Sequence, residues 1–351
     1  METSLRKDDH LRINTTRDPL SGLDSGFENY RFIPNALPDI DLADISTATS
    51  FIGMEVSAPI LISCMTGGTP RTKRVNKLLA RVAQTFKIAL GIGSARALLE
   101  DPECLSSFDV RDDAPDVPFL VNLGAVQLNY GVGIADCCRL VSVLRANALV
   151  IHLNPLQEAL QLAGNTNYSG LLRKIISLRD ALDVPLIVKE VGWGLDAESI
   201  RTLESYGVSF FDIAGAGGTS WSEVERHRST GSRAITAGSF RSWGIPSAVA
   251  LVEARRVSPT SVIIASGGIC DGHDIAKAIA LGADIAGIAR PFVLTASKSE
   301  EGTMEYAESL LQTLRTIMFA LGVSSIDALR GTSRLAEVGS RFGSRVSKTV
   351  P

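Results

Sequence analysis

The sequence predicts an α/β protein, a single (β/α)₈ TIM barrel carrying an N-terminal arm and a long loop after its sixth strand. Three observations predict it. From Ala58 onward, short apolar runs alternate with segments of helical apolar spacing; the runs number eight; and each is continuous, as parallel strands buried on both faces require. Strand count alone does not separate a closed barrel from a doubly wound open sheet.

Size and composition agree with this reading. The 351 residues could hold two domains, but α/β barrels reach this length as one unit. With 45% hydrophobic and 21% charged residues, the chain can bury a large core and lacks the apolar-poor composition of disorder. A net charge of −3 leaves no footprint for nucleic acid or an anionic membrane. Met1 to His10 lacks the apolar core of a secretory signal, and no run of about 18 apolar residues is present to span a bilayer. The expectation is a soluble, cytoplasmic protein. Five cysteines, Cys64, Cys104, Cys137, Cys138 and Cys270, are an odd number without zinc spacing, so reduced thiols are expected.

Residues 1–50 are polar and irregular, punctuated by Asn14, Asp18-Pro19, Gly22 and the Pro34 to Pro38 region, and read as an arm; residues 51–351 hold the barrel. The apolar runs end near Ser63, Gly93, Leu123, Leu153, Lys189, Ile213, Ser266 and Ile288. Successive ends lie 22 to 36 residues apart, one βα unit each, except for a single gap of 53. Helices fill the gaps. In Ser169 to Leu182, the residues Leu172, Ile175, Ile176, Leu178 and Leu182 form an apolar stripe, with Ser169 a candidate N-cap. Asp196 to Tyr206 and Gly272 to Leu281 read the same way. The long gap predicts an insertion over roughly Gly215 to Trp243 that holds Trp221, Glu223, His227, Arg228 and Arg233. Long loops on this face of a barrel are usually lids or binding loops. A last helix over Thr303 to Leu321 closes the ring.

Barrel chemistry gathers where strands end, and nearly every end here is polar or glycine-rich. The ends are Ser63-Cys-Met-Thr-Gly-Gly68, Gly93-Ser-Ala-Arg96, Asn122, His152 to Glu158, Lys189-Glu-Val-Gly192, Ala214-Gly-Ala-Gly-Gly-Thr219, Ser266-Gly-Gly-Ile269 and Ala289-Arg290. The densest is His152-Leu-Asn-Pro-Leu-Gln-Glu158, which sets an imidazole, two amides and a carboxylate after the strand Ala148 to Ile151. Buried without partners, such groups cost about 1 to 3 kcal/mol each, and a ligand or metal would supply those partners. Gln157 and Glu158 could equally be helix-start residues, a carboxylate being favoured at the positive end of a helix dipole.

Ser266-Gly267-Gly268 and Ala289-Arg290 occupy the loops after strands seven and eight, where barrels commonly bind phosphate through backbone N–H groups; elsewhere a Gly-Gly pair would be only a turn. Lys189 ends an apolar strand and needs an anion, a carboxylate or an electron-rich ring, the plain alternative being a salt bridge to Glu190 or another acid. By composition Arg6-Lys-Asp-Asp-His10 is a solvated terminal charge cluster.

In order, from residue 6 to about 292, the segments Arg6-Lys-Asp-Asp-His10, Met65-Thr-Gly-Gly68, Gly93-Ser-Ala-Arg96, Asn122, His152-Leu-Asn-Pro-Leu-Gln-Glu158, Lys189-Glu-Val-Gly192 and Gly217-Gly-Thr219 closely resemble the type 2 isopentenyl-diphosphate isomerases. Each motif alone is weak; their ordered combination is specific. The resemblance implies an FMN-containing barrel that interconverts isopentenyl and dimethylallyl diphosphate in isoprenoid biosynthesis, with NADPH reducing the flavin and Mg²⁺ holding the diphosphate. It also implies a homo-oligomer, a tetramer or octamer. Met65, Thr66, Gly67, Ser94, Asn122, Lys189 and Thr219 look like flavin-ring and ribityl contacts. Gly267, Gly268, Ile269, Ala289 and Arg290 look like the FMN phosphate cradle. Arg6, Lys7, His10, Ser94, Arg96, His152, Asn154 and Gln157 look like the substrate site, and Glu158 like the metal ligand. Gln157, Lys189 and His152 are then the catalytic candidates. Reduced flavin would supply acid and base at its N5, Lys189 would stabilise the reduced ring near N1/O2, and Gln157 would orient the allylic carbon.

Three readings compete. An FMN-dependent 2-hydroxyacid oxidase or dehydrogenase needs a histidine base with an arginine nearby, yet the loop after strand six has no histidine before His227. A chemistry like that of IMP dehydrogenase needs a nucleophilic cysteine, for which Cys270 is the candidate, although a buried inert cysteine is the commoner case. A non-catalytic barrel binding a phosphorylated ligand is permitted by fold, and the many polar strand ends argue against it.

Overall fold

A parallel sheet buried on both faces leaves two unpaired edges unless it closes, and closure is what the eight apolar runs achieve. The computed structural model describes residues 2–338, with side chains from Lys7 onward. Within them the barrel strands are β1 (Ile60–Ile62), β2 (Ala89–Ser94), β3 (Phe119–Gly124), β4 (Ala148–His152), β5 (Leu186–Lys189), β6 (Phe210–Asp212), β7 (Val262–Ser266) and β8 (Ile285–Ile288). They pair in sequence order, all parallel, and β8 returns to β1. An open sheet is excluded.

The strand period of two decides what faces the lumen. Leu61, Leu120, Val150, Ile187, Ile264 and Ile285 pack together inside, joined by Phe51 and Val56 of a short hairpin, while Ile60, Ile62, Val121, Leu149, Val188 and Ile263 pack outward against helices. Two residues further along each strand, the same parity turns Ser63, Asn122, His152, Lys189, Asp212 and Ser266 inward at the C-terminal edge. Register aligns His152 with Lys189, and Lys189 with Asp212. An apolar plug therefore carries a polar layer on top.

Helix Pro70–Phe86 starts at Thr69, whose hydroxyl accepts from Thr72 N while the Thr72 hydroxyl accepts from Thr69 N. Its buried Val75, Leu78, Leu79 and Val82 each contribute about 1.5 to 3 kcal/mol on leaving water. Helix Leu171–Ala181 buries Leu171, Ile175 and Leu178, but its N-cap is Gly170 rather than the expected Ser169. The chain enters through a left-handed turn, φ +69°, which glycine adopts without a Cβ penalty. Asp196 caps Ala197–Ser205 by accepting from the N–H groups of Glu198 and Ser199, and the closing helix runs Glu300–Leu321.

Two expectations need correction. The arm is not irregular at its start: Glu2–Thr16 is a helix. Its sequence is polar and sparse in apolar periodicity, and what holds it is tertiary packing, with Leu11 and Ile13 buried over the barrel mouth against helices Trp221–Arg228, Arg290–Ala296 and Pro70–Phe86. The long loop after β6 is likewise helical, folded as Trp221–Arg228 and Gly231–Gly238 before the outer-ring helix Ser247–Val257. The side chain of Arg6, and residues 339–351 of the expected barrel unit, lie outside the described residues. Among the described residues, no helix is long and apolar enough to cross a membrane.

Candidate active site

Above the polar layer, the strand ends, the N-terminal helix and the insertion enclose a cavity of about 430 Å³. Every site residue expected from sequence, apart from Arg6, lines this one cavity.

One end is made of backbone. Gly267 and Gly268, directly after β7, take φ values of +101° and +77°. A Cβ on Gly267 would fall 2.1 Å from the Gly215 carbonyl oxygen, and one on Gly218 would fall 2.6 Å from the Gly268 nitrogen. Only glycine allows these loops to approach so closely. Buried Ser247 ties them by donating to the Gly267 carbonyl at 2.6 Å. Ile269 and Ala289 flank the glycines, and Arg290 opens helix Arg290–Ala296. The Arg290 guanidinium donates to the Asn14 carbonyl at 3.1 Å and the Arg17 carbonyl at 3.4 Å, so the cradle is fastened to the N-terminal helix. Close backbone, a helix start and a guanidinium are what the phosphate of FMN requires.

The floor carries the polar layer. Thr66 Oγ donates to Asn76 Oδ1, while Asn76 Nδ2 donates to the carbonyls of Thr66 and Ser107 at 3.3 and 2.8 Å, fixing the Met65-Thr66-Gly67 turn. Asn122 Oδ1 lies 2.8 Å from His152 Nδ1, which places the imidazole proton on that nitrogen. Thr219 Oγ donates to Asn14 Oδ1 at 3.3 Å. The Lys189 ammonium sits 3.1 Å from Asp212 Oδ2, both groups buried, and Ser266 Oγ donates to Asp212 Oδ1 at 2.5 Å. Ser63 Oγ is buried with no hydrogen-bond partner among the described residues. The orphaned Ser63 hydroxyl lines the same cavity as the Lys189 ammonium and the Asn122 amide, a set of polar groups that fits the heteroatoms of a flavin ring.

Lys189 thus pairs with Asp212 and not with Glu190. The Glu190 carboxylate turns away and accepts from the N–H groups of Gly192, Trp193 and Gly194 at 2.7, 2.6 and 3.1 Å. Burial pushes its carboxyl up to about 7 in spite of those donors. Burial also pushes the Cys64 thiol up to about 12. Burial, then Asp274 and Asp271, push the Cys270 thiol up to about 11, which argues against a thiolate nucleophile.

The opposite wall is made of side chains. Pro155 starts the short helix Pro155–Leu160, in which Gln157 and Glu158 are buried. Asn154 Nδ2 donates to Gln157 Oε1 and to Glu158 Oε1, both at 3.1 Å, while its own Oδ1 accepts from the Tyr168 hydroxyl. Glu158 Oε2 accepts from Asn165 N at 2.6 Å. Gln157 Nε2 reaches Glu225 Oε1 at 3.4 Å, and His10 Nε2 lies 3.3 Å from the same oxygen. Arg228 donates to the other oxygen of Glu225 at 2.6 Å. Burial alone would raise the Glu225 carboxyl, but His10 and Arg228 outweigh it and hold it below the usual range. Lys7 Nζ donates to the Ser94 carbonyl at 2.5 Å and lies over the Phe108 ring, and Arg96 donates to Glu100 at 2.6 Å. Among the described residues, no three His, Cys, Asp or Glu side chains converge to hold a metal. Glu158 is a single carboxylate, which fits Mg²⁺ when substrate oxygens complete its shell.

Sequence reasoning missed Asp212, Glu225, Asn76 and Tyr168. A signal existed for Asp212: an acid at an inward position of a buried strand, in register with Lys189. Glu225 lay inside the insertion, unmarked by any periodicity while that segment read as a loop.

The family described as FMN-dependent dehydrogenase matches residues 152–335. A curated isopentenyl-diphosphate delta-isomerase of Rickettsia bellii (strain RML369-C) is 47% identical over 326 residues, covering 93% of this chain and 95% of the relative. One of Nostoc sp. is 44% identical over 336 residues, covering 95% and 96%. Among solved structures, a flavocytochrome b2 variant with sulfite bound aligns with TM-score 0.68 at 20% identity, over 98% of this chain and 88% of that one. A mandelate oxidase variant aligns with TM-score 0.63 at 20% identity, over 93% and 94%. At that identity the structures speak for the fold alone. The two sequence relatives do more, and the chain belongs to the FMN-dependent, type 2 isopentenyl-diphosphate delta-isomerases.

Proposed function

We propose that the chain interconverts isopentenyl and dimethylallyl diphosphate, adding a proton at one carbon and removing one from another with no net redox. The near-full-length match to curated isomerases carries this reading. The cavity supports it by facing a backbone cradle with a polar side-chain wall across Lys189.

Gly267, Gly268, Ile269, Ala289 and Arg290 would hold the FMN phosphate, and Met65, Thr66, Gly67, Ser94, Asn122, Lys189 and Thr219 the ring and ribityl chain. When bound and reduced by NADPH, FMN would supply acid and base at its N5 edge. Lys189 would set a positive charge at the N1/O2 edge, and the buried amide of Gln157 would orient the allylic carbon. Arg6, Lys7, His10, Ser94, Arg96, His152 and Asn154 meet the diphosphate, whose charge suits cationic donors. Glu158 would share Mg²⁺ with the diphosphate oxygens. In this proposal residues 1–50 are an arm that completes the substrate site of the barrel unit 51–351, and the enzyme works as a cytoplasmic tetramer or octamer.

A 2-hydroxyacid oxidase reading would take its histidine base from the loop after strand six, where the first histidine is His227. The histidines lining the cavity are His10 and His152, while His227 does not line it. Purified protein should be yellow, and under anaerobic NADPH with Mg²⁺ it should convert isopentenyl diphosphate. Consumption of oxygen with 2-hydroxyacids and no isomerisation would sink the reading; a colourless protein that cannot be reconstituted with FMN would leave a binding barrel.

A further inference from the structure

Asp212 has no part in the roles above. It is 3% exposed, ends β6, and lies beneath the cavity rather than in its lining. A buried carboxylate is costly unless it is both paired and hydrogen-bonded, and Asp212 is both. One oxygen faces the Lys189 ammonium of β5 at 3.1 Å; the other accepts from the Ser266 hydroxyl of β7 at 2.5 Å and from Ala214 N at 3.2 Å. Three neighbouring strands thus hold a single carboxylate, and strand register fixes Lys189 opposite it.

Lysine is a point charge on a flexible stem with three rotatable donors, so its ammonium stays where an acceptor holds it. We propose that Asp212 is a positioning residue for Lys189, clamping the ammonium at one height in the barrel and offsetting its charge, so that a bound flavin feels the pair and not the lysine alone. The proposal rests on the reading of Lys189 as a flavin contact. An ion pair that merely braces β5 against β6 would affect stability and leave the flavin unchanged.

The test is the midpoint potential of FMN in the reconstituted holoenzyme, at one pH, for wild type, Asp212→Asn, Lys189→Met and the double variant. A neutral residue at 212 leaves the ammonium uncompensated and favours the anionic reduced ring. D212N should raise the ratio of reduced to oxidised flavin at fixed potential about tenfold, which for two electrons is about 30 mV. K189M should lower it, and adding D212N to K189M should change it by less than about twofold, because Asp212 acts through the lysine. A D212N value within about twofold of wild type, or an equal shift with Lys189 already replaced, overturns the proposal. K189M without any shift overturns instead the placement of Lys189 at the flavin. Should D212N fail to take up FMN, Asp212→Ser is read the same way, with the same expectation.

Discussion

The two ends of the cavity are made of different material. After β7 and β8 the site is backbone, shaped by glycines that approach within contact of other backbone atoms. After β4 it is side chain, a network in which Asn154, Gln157, Glu158, Glu225 and His10 hold one another across three separate segments. Backbone geometry depends on the fold and tolerates little; side-chain geometry can be altered one residue at a time. A group that is bound permanently suits the first end, and a substrate that enters and leaves suits the second.

The contrast breaks first at Gly267. Its alanine variant adds a Cβ on a left-handed backbone with no room, costs of about 1 to 2 and 1 to 3 kcal/mol that together weaken FMN binding about a hundredfold or more. Flavin absorbance per purified protein measures it; wild-type FMN content would show that the cradle is not backbone-limited. On the floor between the ends, Lys189→Ala should keep FMN and lose about a hundredfold in turnover, the usual scale for removing one charge-stabilising group. Unchanged turnover with FMN bound would remove Lys189 from the chemistry. At the side-chain end, Glu158→Gln should leave FMN in place and raise the Mg²⁺ concentration needed for half-maximal rate about tenfold or more. If FMN content fell instead, the two ends would not be separable.

The smallest effect concerns stability at Glu190, where a side chain shapes backbone. Its carboxyl titrates near 4.5 unfolded and near 7 folded, so the native state binds the extra proton between those values. Stability is therefore fully present below about 4.5 and falls as pH rises through about 7, by an amount on the order of 3 kcal/mol at most. Glu190→Gln should flatten that slope in chemical denaturation between pH 5 and 8. A slope equal to wild type would assign the pH dependence to another group.

Most of the barrel could be read from sequence because buried parallel strands are continuous apolar runs, and all eight stand where those runs lie. The glycine cradle was legible by its position after the seventh strand. The N-terminal helix was not, because its stability comes from surfaces distant in sequence, most of them 200 and more residues away, and leaves no local period in Glu2 to Thr16. For the same reason Glu225 and Asp212 went unread: each is meaningful only beside His10 or Lys189, and such neighbours are set by register and tertiary contact. Ser169 failed as a cap for a local reason, a left-handed Gly170 that starts the helix one residue later.

Arg290 joined to the carbonyls of Asn14 and Arg17 spans 276 and 273 residues of chain. On the ribosome the first helix emerges 276 residues before Arg290, so the surface over Leu11 and Ile13 stays incomplete until helix Arg290–Ala296 is made. Contacts of such long separation form late in folding, since the loop they close must first be paid for in entropy. Competence in this molecule therefore waits on closure of the ring, when the segment after the last strand completes the seat of the first helix.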